Sequence, residues 1–293
     1  MTTNPKTGIY DGIDFEEYRG WEAINASRLK LMGISPAHYL RAGEHGQSTS
    51  SRALSIGSIV HCAALEPDTI NDRYRVMPTY HLDDKNLTKT GQPTMSKNTA
   101  YYRRRVEAFK KKHPDCEIVT QDIYDQVQAI MLSLQRAPDS MGLLQAEGKS
   151  EVSIRWDDPD TGTPCKGRID RQSGKRLIDI KTTRSLSDFA TQIARLKYHM
   201  QLAHYQAGWQ ALTGDLPEVW IIAIENEQPH CVHAARLSDD ALEDGEKLRR
   251  EYLHKLVSCQ QSRTWPGPSM PSIWELPEWA TTQTTESLIP ADL

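Results

Sequence analysis

Between residues 187 and 212 the apolar residues Phe189, Ile193, Leu196, Met200, Ala203 and Ala207 fall four and three apart, the stripe of a core-facing helix. Gln201 and Tyr205, four apart, share a flank of that helix outside the stripe. Upstream the period changes to two. EVSIRWDD (151–158) alternates around Val152, Ile154 and Trp156, the turn residues PDTG follow, and CKGRIDRQ (165–172) and KRLIDIKT (175–182) flank Ser173-Gly174. This predicts a three-stranded antiparallel meander. With Ser173 and Gly174 as the two loop residues, Arg171 pairs with Arg176, Ile169 with Ile178 and Arg168 with Asp179. Alternation then sets Asp170, Asp179 and Lys181 on one face and Ile169, Ile178 and Ile180 on the other. A first hairpin centred on Asp160-Thr161 places Glu151 opposite Asp170 and adds Val152 to the isoleucines. EVWIIAIEN (218–226) and HCVHAARL (230–237) read as further strands, and 238–258 as a charged terminal helix.

Before residue 150 the signals are mainly helical. Ser27 is placed to cap a short helix through Leu31, and Ser35-Pro36 opens another with proline at the tolerated first position. SSRALSIGSIVHCAALEP (50–67) predicts a buried helix, with Leu54, His61 and Leu65 near one face, widened by Ile56, Val60 and Ala63, and Pro67 past its end. Two more helices, roughly 96–112 and 121–136, fill an insertion ahead of the strands.

At 293 residues and 38% hydrophobic content the chain can fill a sizeable core as an ordinary soluble globular protein. It shows no run of membrane-span length and no secretory leader pattern, so a cytoplasmic location is expected. Its five cysteines, Cys62, Cys116, Cys165, Cys231 and Cys259, are scattered without a C-x-x-C pair and read as reduced thiols. A net charge of -4 argues against indiscriminate coating of nucleic acid. Charge is nevertheless local: YYRRRVEAFKKKH (101–113) holds two basic triplets, either a solvated helix face or a phosphate-contacting one. From Trp274 onward Glu275, Glu278, Glu286 and Asp292 stand without a basic residue.

A lone Asp or Lys on a strand's wet face signifies nothing. Three carboxylates gathered beside a lysine repel one another unless a cation holds them, and oxygen donors with open positions suit Mg2+ or Mn2+.

In order along the chain, Gly57-x-x-x-His61, Glu151, Gly167-x-x-Asp170, Asp179-x-Lys181 and Gln201-x-x-x-Tyr205 resemble the RecB-type branch of the PD-(D/E)xK nuclease superfamily. More closely, NASRLKLMGISPAHYL, GSIVHCAALEP, KGRIDR and IDIKTT are similar to the RecE-type exonucleases, the exodeoxyribonuclease VIII group of phages and prophages, from about residue 20 to about residue 260. The resemblance implies an α/β fold, a restriction-endonuclease-like core with a mixed central sheet flanked by helices, a helical N-terminal region and a helical insertion at about 67–150. It implies one exonuclease domain, 1–263, followed by an acidic tail, 264–293.

It also implies roles. Asp170 and Asp179 hold Mg2+, for which Mn2+ can substitute, with the Ile180 carbonyl as a further oxygen. His61 ligates a second metal through a neutral imidazole nitrogen; a lone histidine is more often a core residue, and the match to Gly57-x-x-x-His61 reverses that preference. Lys181 orients the attacking water and stabilises charge on the phosphate. Glu151 completes the acidic cluster as ligand or base. Gln201 and Tyr205 position Lys181, the water or the scissile phosphate, and Lys166, Arg168, Thr182 and Thr183 contact the DNA backbone. Asp179 stands where the superfamily often has glutamate. The C-terminal cysteine cluster of iron-sulfur relatives is absent, so no iron-sulfur cluster is expected.

The expected function is a Mg2+-dependent 5'-to-3' exonuclease on double-stranded DNA ends, releasing 5'-mononucleotides and leaving 3' single strands for recombination. By the same resemblance the chain forms a homo-oligomeric ring and works with a single-strand annealing protein, away from any membrane. The alternatives are a PD-(D/E)xK endonuclease and a non-catalytic DNA-binding assembly protein of the same fold.

Overall fold

The computed structural model describes residues 4–45, 52–78 and 100–276, with side chains left aside for 43–45, 52–55, 100 and 101. Edge strand β1 (Gly8–Tyr10) leads into helices α1 (Phe15–Gly20), α2 (Ala26–Leu29), α3 (Pro36–His45) and α4 (Arg52–Leu65). The insertion holds α5 (Ile70–Arg73), β2 (Tyr74–Val76), α6 (Ala100–Lys112), β3 (Glu117–Val119), α7 (Gln121–Gln135) and α8 (Pro138–Gln145). The meander is β4 (Lys149–Asp157), β5 (Pro164–Ser173) and β6 (Arg176–Thr183). There follow α9 (Phe189–Arg195), α10 (Tyr198–Thr213), β7 (Glu218–Glu225), β8 (Val232–Arg236) and α11 (Asp239–Ser262).

Six strands form a mixed sheet in the order β1-β4-β5-β6-β7-β8, with β6 and β7 the parallel pair. Parallel neighbours need a crossover, and α9 and α10 supply it. β2 and β3 make a separate parallel pair.

Register decides where the acids go. Ser150 pairs with Arg171 and Val152 with Ile169, so Glu151 and Asp170 fall opposite one another as expected, yet they form no pair themselves and Glu151 takes a φ of 54°. The ladder opens at that step. A non-glycine residue held in this region is strained, and such strain gathers at functional sites. The second hairpin pairs Ser173 with Arg176 and Arg171 with Ile178, two residues away from the expected Arg171–Arg176 register. Its loop residues are Gly174 and Lys175, because Gly174 supplies the positive φ of 53°.

The expected division into one isoleucine face and one acidic face is corrected. Val152, Ile154, Trp156 and Ile169 pack with Leu29, Met32, Met200 and Leu253, under α2, α10 and α11. Ile178 and Ile180 pack instead with Ile59 and Val60 of α4 and Val127 and Ile130 of α7. Strict alternation fails because the ladder is interrupted at Glu151 and Asp170, just where the sequence pattern assumed continuity.

Three helical expectations also change. Asn25, not Ser27, caps α2 through a 2.8 Å bond from the Arg28 amide, and the chain continues as a 3-10 turn over Lys30–Gly33. The stripe from Phe189 to Ala207 is split, since Lys197 at φ 53° ends α9 and starts α10, leaving Leu196 41% exposed. His61 does not share the buried face of α4: Ile59, Val60 and Leu65 are buried while His61 faces the opened ladder. The Leu54 side chain, residues 96–99 and the acidic Glu278, Glu286 and Asp292 lie outside what is described, whereas Glu275 is exposed. Among the described residues no helix is long and apolar enough to cross a membrane.

Candidate active site

The opened step between β4 and β5 gives Asp170 a position that ladder pairing would deny it. Its Oδ2 accepts the Ile180 amide at 2.7 Å, a bond from the neighbouring strand to a side chain instead of to a carbonyl. From the other side α4 brings His61, whose Nε2 lies 2.8 Å from the same Oδ2 and 3.3 Å from the Ile180 carbonyl. Gly57, one turn earlier, permits this approach, because a Cβ there would stand 3.1 Å from the Thr182 hydroxyl. His61 Nδ1 faces Glu151 Oε1 at 3.5 Å, and Arg168 Nε donates to Glu151 Oε2 at 2.5 Å.

On β6, Lys181 Nζ lies 2.5 Å from Asp179 Oδ2. Beyond this ion pair, neither buried oxygen of Asp179 has a hydrogen-bond partner among the described residues. Burial raises the Asp179 carboxyl, Lys181 opposes this and Asp170 reinforces it; the net direction is up. Burial also raises Asp170, but the charge and hydrogen bond of His61, with Lys181 and the Ile180 amide, hold it below the usual carboxylate range. Burial lowers Lys181 and His61, and the facing carboxylates more than reverse it for both. In the protein alone His61 thus pairs with Asp170 and Glu151, and Lys181 with Asp179.

Gln201 and Tyr205 meet as their spacing predicts, with Gln201 Nε2 donating to the Tyr205 hydroxyl at 3.1 Å. Gly167 makes room for this ring: a Cβ there would lie 2.8 Å from Tyr205 Cδ1. Sequence reasoning missed two neighbours. Lys30 Nζ donates to Gln201 Oε1 at 3.0 Å, and the Tyr198 ring lies 5.2 Å from Lys30 Nζ and 5.0 Å from Lys181 Nζ. Lys30 belongs to NASRLK, which supported the resemblance, but no periodicity links residue 30 to residue 201.

The four expected DNA contacts separate. Lys166 is 4% exposed and donates to the carbonyls of Tyr18, Arg19 and Trp21 at 2.9, 3.0 and 2.8 Å, so its three protons are committed to the turn after α1. It lines the cleft, but with these bonds in place it holds the N-terminal segment instead of offering a proton to a phosphate. Thr183 is buried, its hydroxyl donating to the Ser185 carbonyl and accepting from the Gln192 amide. Arg168 is mostly engaged, by Glu151 and by the Ile13 carbonyl at 2.8 Å, yet it lines the cleft, as does Thr182.

That cleft has a volume of about 1660 Å3 and runs from Phe15, Arg19 and Arg28 past His61, Asp170 and Lys181 to Arg73 and Glu117. Its walls are the N-terminal helices on one side and the start of the insertion on the other. Among the described residues, no three acid, histidine or cysteine donors close on a single point. His61 lies against both Glu151 and Asp170, while Asp179 is paired with Lys181. Orphaned Asp179 oxygens beside Asp170 and an inward carbonyl at Ile180 nevertheless form the donor set that a hard divalent cation takes.

A mixed sheet carrying Asp170 and Asp-x-Lys on adjacent strands, with a histidine from a preceding helix, defines a PD-(D/E)xK-like core. Residues 25–270 match the family described as a PDDEXK-like domain of unknown function, DUF3799, and the chain belongs to that family. No curated protein matches. Among solved structures the chain is similar to a protein of Eubacterium rectale that bears a provisional exonuclease designation, at 15% identity and TM-score 0.60, covering 87% of this chain and 89% of that one. That likeness is one of fold. An alkaline exonuclease of Laribacter hongkongensis is 13% identical over 57% of this chain and 86% of its own, at a TM-score of 0.29 that carries no argument.

Proposed function

We propose that the chain is a metal-dependent DNA nuclease, and more finely a RecE-type, Mg2+-dependent 5'-to-3' exonuclease acting on double-stranded ends. The observation that carries this reading is the junction at Ile180, where Asp170 takes its amide, His61 approaches its carbonyl, and Asp179 and Lys181 flank it. Asp170, Asp179 and the Ile180 carbonyl would hold Mg2+, and His61 would ligate a second metal through a neutral imidazole nitrogen. Bound there, the cation supplies charge to a phosphate oxygen and lowers the pKa of a water.

The remaining work falls to the chain's own groups. Lys181, anchored by Asp179, would donate its remaining protons to the attacking water and to the phosphate oxygen on which charge grows. Glu151, held by Arg168, faces the same space and can accept the water's proton. As water bonds to phosphorus the P–O3' bond breaks, the leaving O3' takes a proton from solvent, and a 5'-mononucleotide departs with a 3' hydroxyl. Tyr205 contributes a hydroxyl at the cleft wall. The walls provided by the N-terminal helices and the insertion supply the end dependence, because the chemistry itself is indifferent to position along a strand.

A homo-oligomeric ring and a single-strand annealing partner complete the proposal on the strength of the resemblance. Digesting linear duplex and supercoiled circles side by side with Mg2+ tests it. The expected outcome is progressive loss of linear DNA to mononucleotides, faster from 5'-phosphorylated ends, with circles surviving. Linearised circles would keep the nuclease and replace the exonuclease by an endonuclease; intact DNA in both arms would leave a non-catalytic DNA-binding protein.

A further inference from the structure

Lys30 reaches the site from the 3-10 turn after α2, 171 positions away from the glutamine it meets. In its charged form Lys30 has donors only, which makes the atom it faces at 3.0 Å the Gln201 oxygen. That choice fixes the other end of the amide. Gln201 Nε2 then points at the Tyr205 hydroxyl, 3.1 Å away, as a donor. The Tyr205 oxygen is therefore an acceptor in this bond, and its own proton is given to no atom of the described residues. Tyr205 lines the cleft that holds Asp170 and Lys181. Burial, helped by Tyr18, Asp179 and Asp170, raises the phenol well above its ordinary value, so the proton stays on it.

Resting on the nuclease reading, we infer that Lys30 is a positioning residue that sets the direction of the chain Lys30 Nζ, Gln201, Tyr205 Oη, so that the Tyr205 proton is kept for the substrate phosphate. Without Lys30 the amide is free to turn over. Its oxygen then faces Tyr205, the phenol donates inward, and the phosphate loses a hydrogen bond. Lys30 itself does not line the cleft, and it acts through Gln201.

The cost of holding Lys30 supports this role. Burial, with Lys181 nearby, lowers the amine to about 7. A half-buried amine held near 7, with one amide oxygen and a ring face as partners, is a poor stabiliser, and removing it should relieve the fold. A lysine present only to support structure would behave in the opposite way.

The test is a cycle of Lys30→Met, Tyr205→Phe and the double variant, with kcat and KM on linear duplex and melting temperatures on the same samples. Lys30→Met should lower kcat by about tenfold or more with little change in KM, and melt no lower than the wild type. The double variant should be no slower than Tyr205→Phe, since both act through one proton, and Lys30→Arg should recover part of the lost rate. Multiplying losses in the double variant, or a Lys30→Met protein that is unstable but fully active when folded, would overturn the assignment. If the wild type releases no nucleotide, the nuclease reading fails by itself. The melting temperatures of Lys30→Met, Gln201→Leu and their double then decide: a non-additive pair keeps the polarised chain, and additivity discards it.

Discussion

His61 Nε2 lies 2.8 Å from Asp170 Oδ2, and this contact ties α4 to the β5 position where the ladder opens. The histidine is 29% exposed and therefore a cleft residue more than a core one. His61→Ala should lower cleavage on the order of 100-fold while shifting the melting temperature little. Rates and melting curves from one preparation check it; a strongly destabilised protein whose folded fraction retains full activity would make the histidine structural.

Gly167 is paired with Ile154 in the ladder and lies under the Tyr205 ring. Adding a methyl there forces the ring away from its 2.8 Å encounter, at a cost of about 1–3 kcal/mol in overpacking. Gly167→Ala should thus lose activity through Tyr205, and combining it with Tyr205→Phe should restore less than a multiplicative loss. The double-variant rates read this directly.

The meander, its acids and the paired Gln201–Tyr205 flank were legible because each rests on local periodicity, and the first hairpin register followed from its turn. The faces were not. A period-two reading assumes an unbroken ladder, and Glu151 at φ 54° leaves no mark in a string of letters. Lys166 shows a further limit: a lysine beside an acidic site reads as a phosphate contact until three carbonyls from α1 and the turn after it are found around it. Lys30 was hidden for the same reason, since its meaning lies in a contact between distant segments.

Lys166→Ala should accordingly unfold more easily, by about 1–3 kcal/mol for carbonyls left without a donor. The dependence of DNA affinity on salt should stay as in the wild type, because a lost phosphate contact would reduce the slope by about one. Denaturant unfolding and binding at several salt concentrations separate the two readings.

Arg249 joins α11 to the β4–β5 turn through Asp158 at 2.6 Å and is 3% exposed. Burial raises the Asp158 carboxyl, but the Arg249 and Thr161 hydrogen bonds hold it below its ordinary value. A depressed folded value means the stabilisation is complete above the unfolded value, about 3.9, and fades as pH falls through the folded one. Arg249→Met should cost about 3–5 kcal/mol at neutral pH, with the penalty shrinking as pH falls through the folded Asp158 value, leaving the active-site chemistry of folded protein intact. Urea melts across pH 2 to 7 test both halves.

Nucleotide release from 5'-phosphorylated linear duplex by the wild type and Lys181→Ala, with Mg2+ and with chelator, tests the site itself. Lys181 stands over Asp179 at 2.5 Å and is the group assigned to the water and the phosphate. The account predicts mononucleotides only from the wild type with Mg2+, and none from folded Lys181→Ala. Equal release by that variant, or release in chelator, would contradict it.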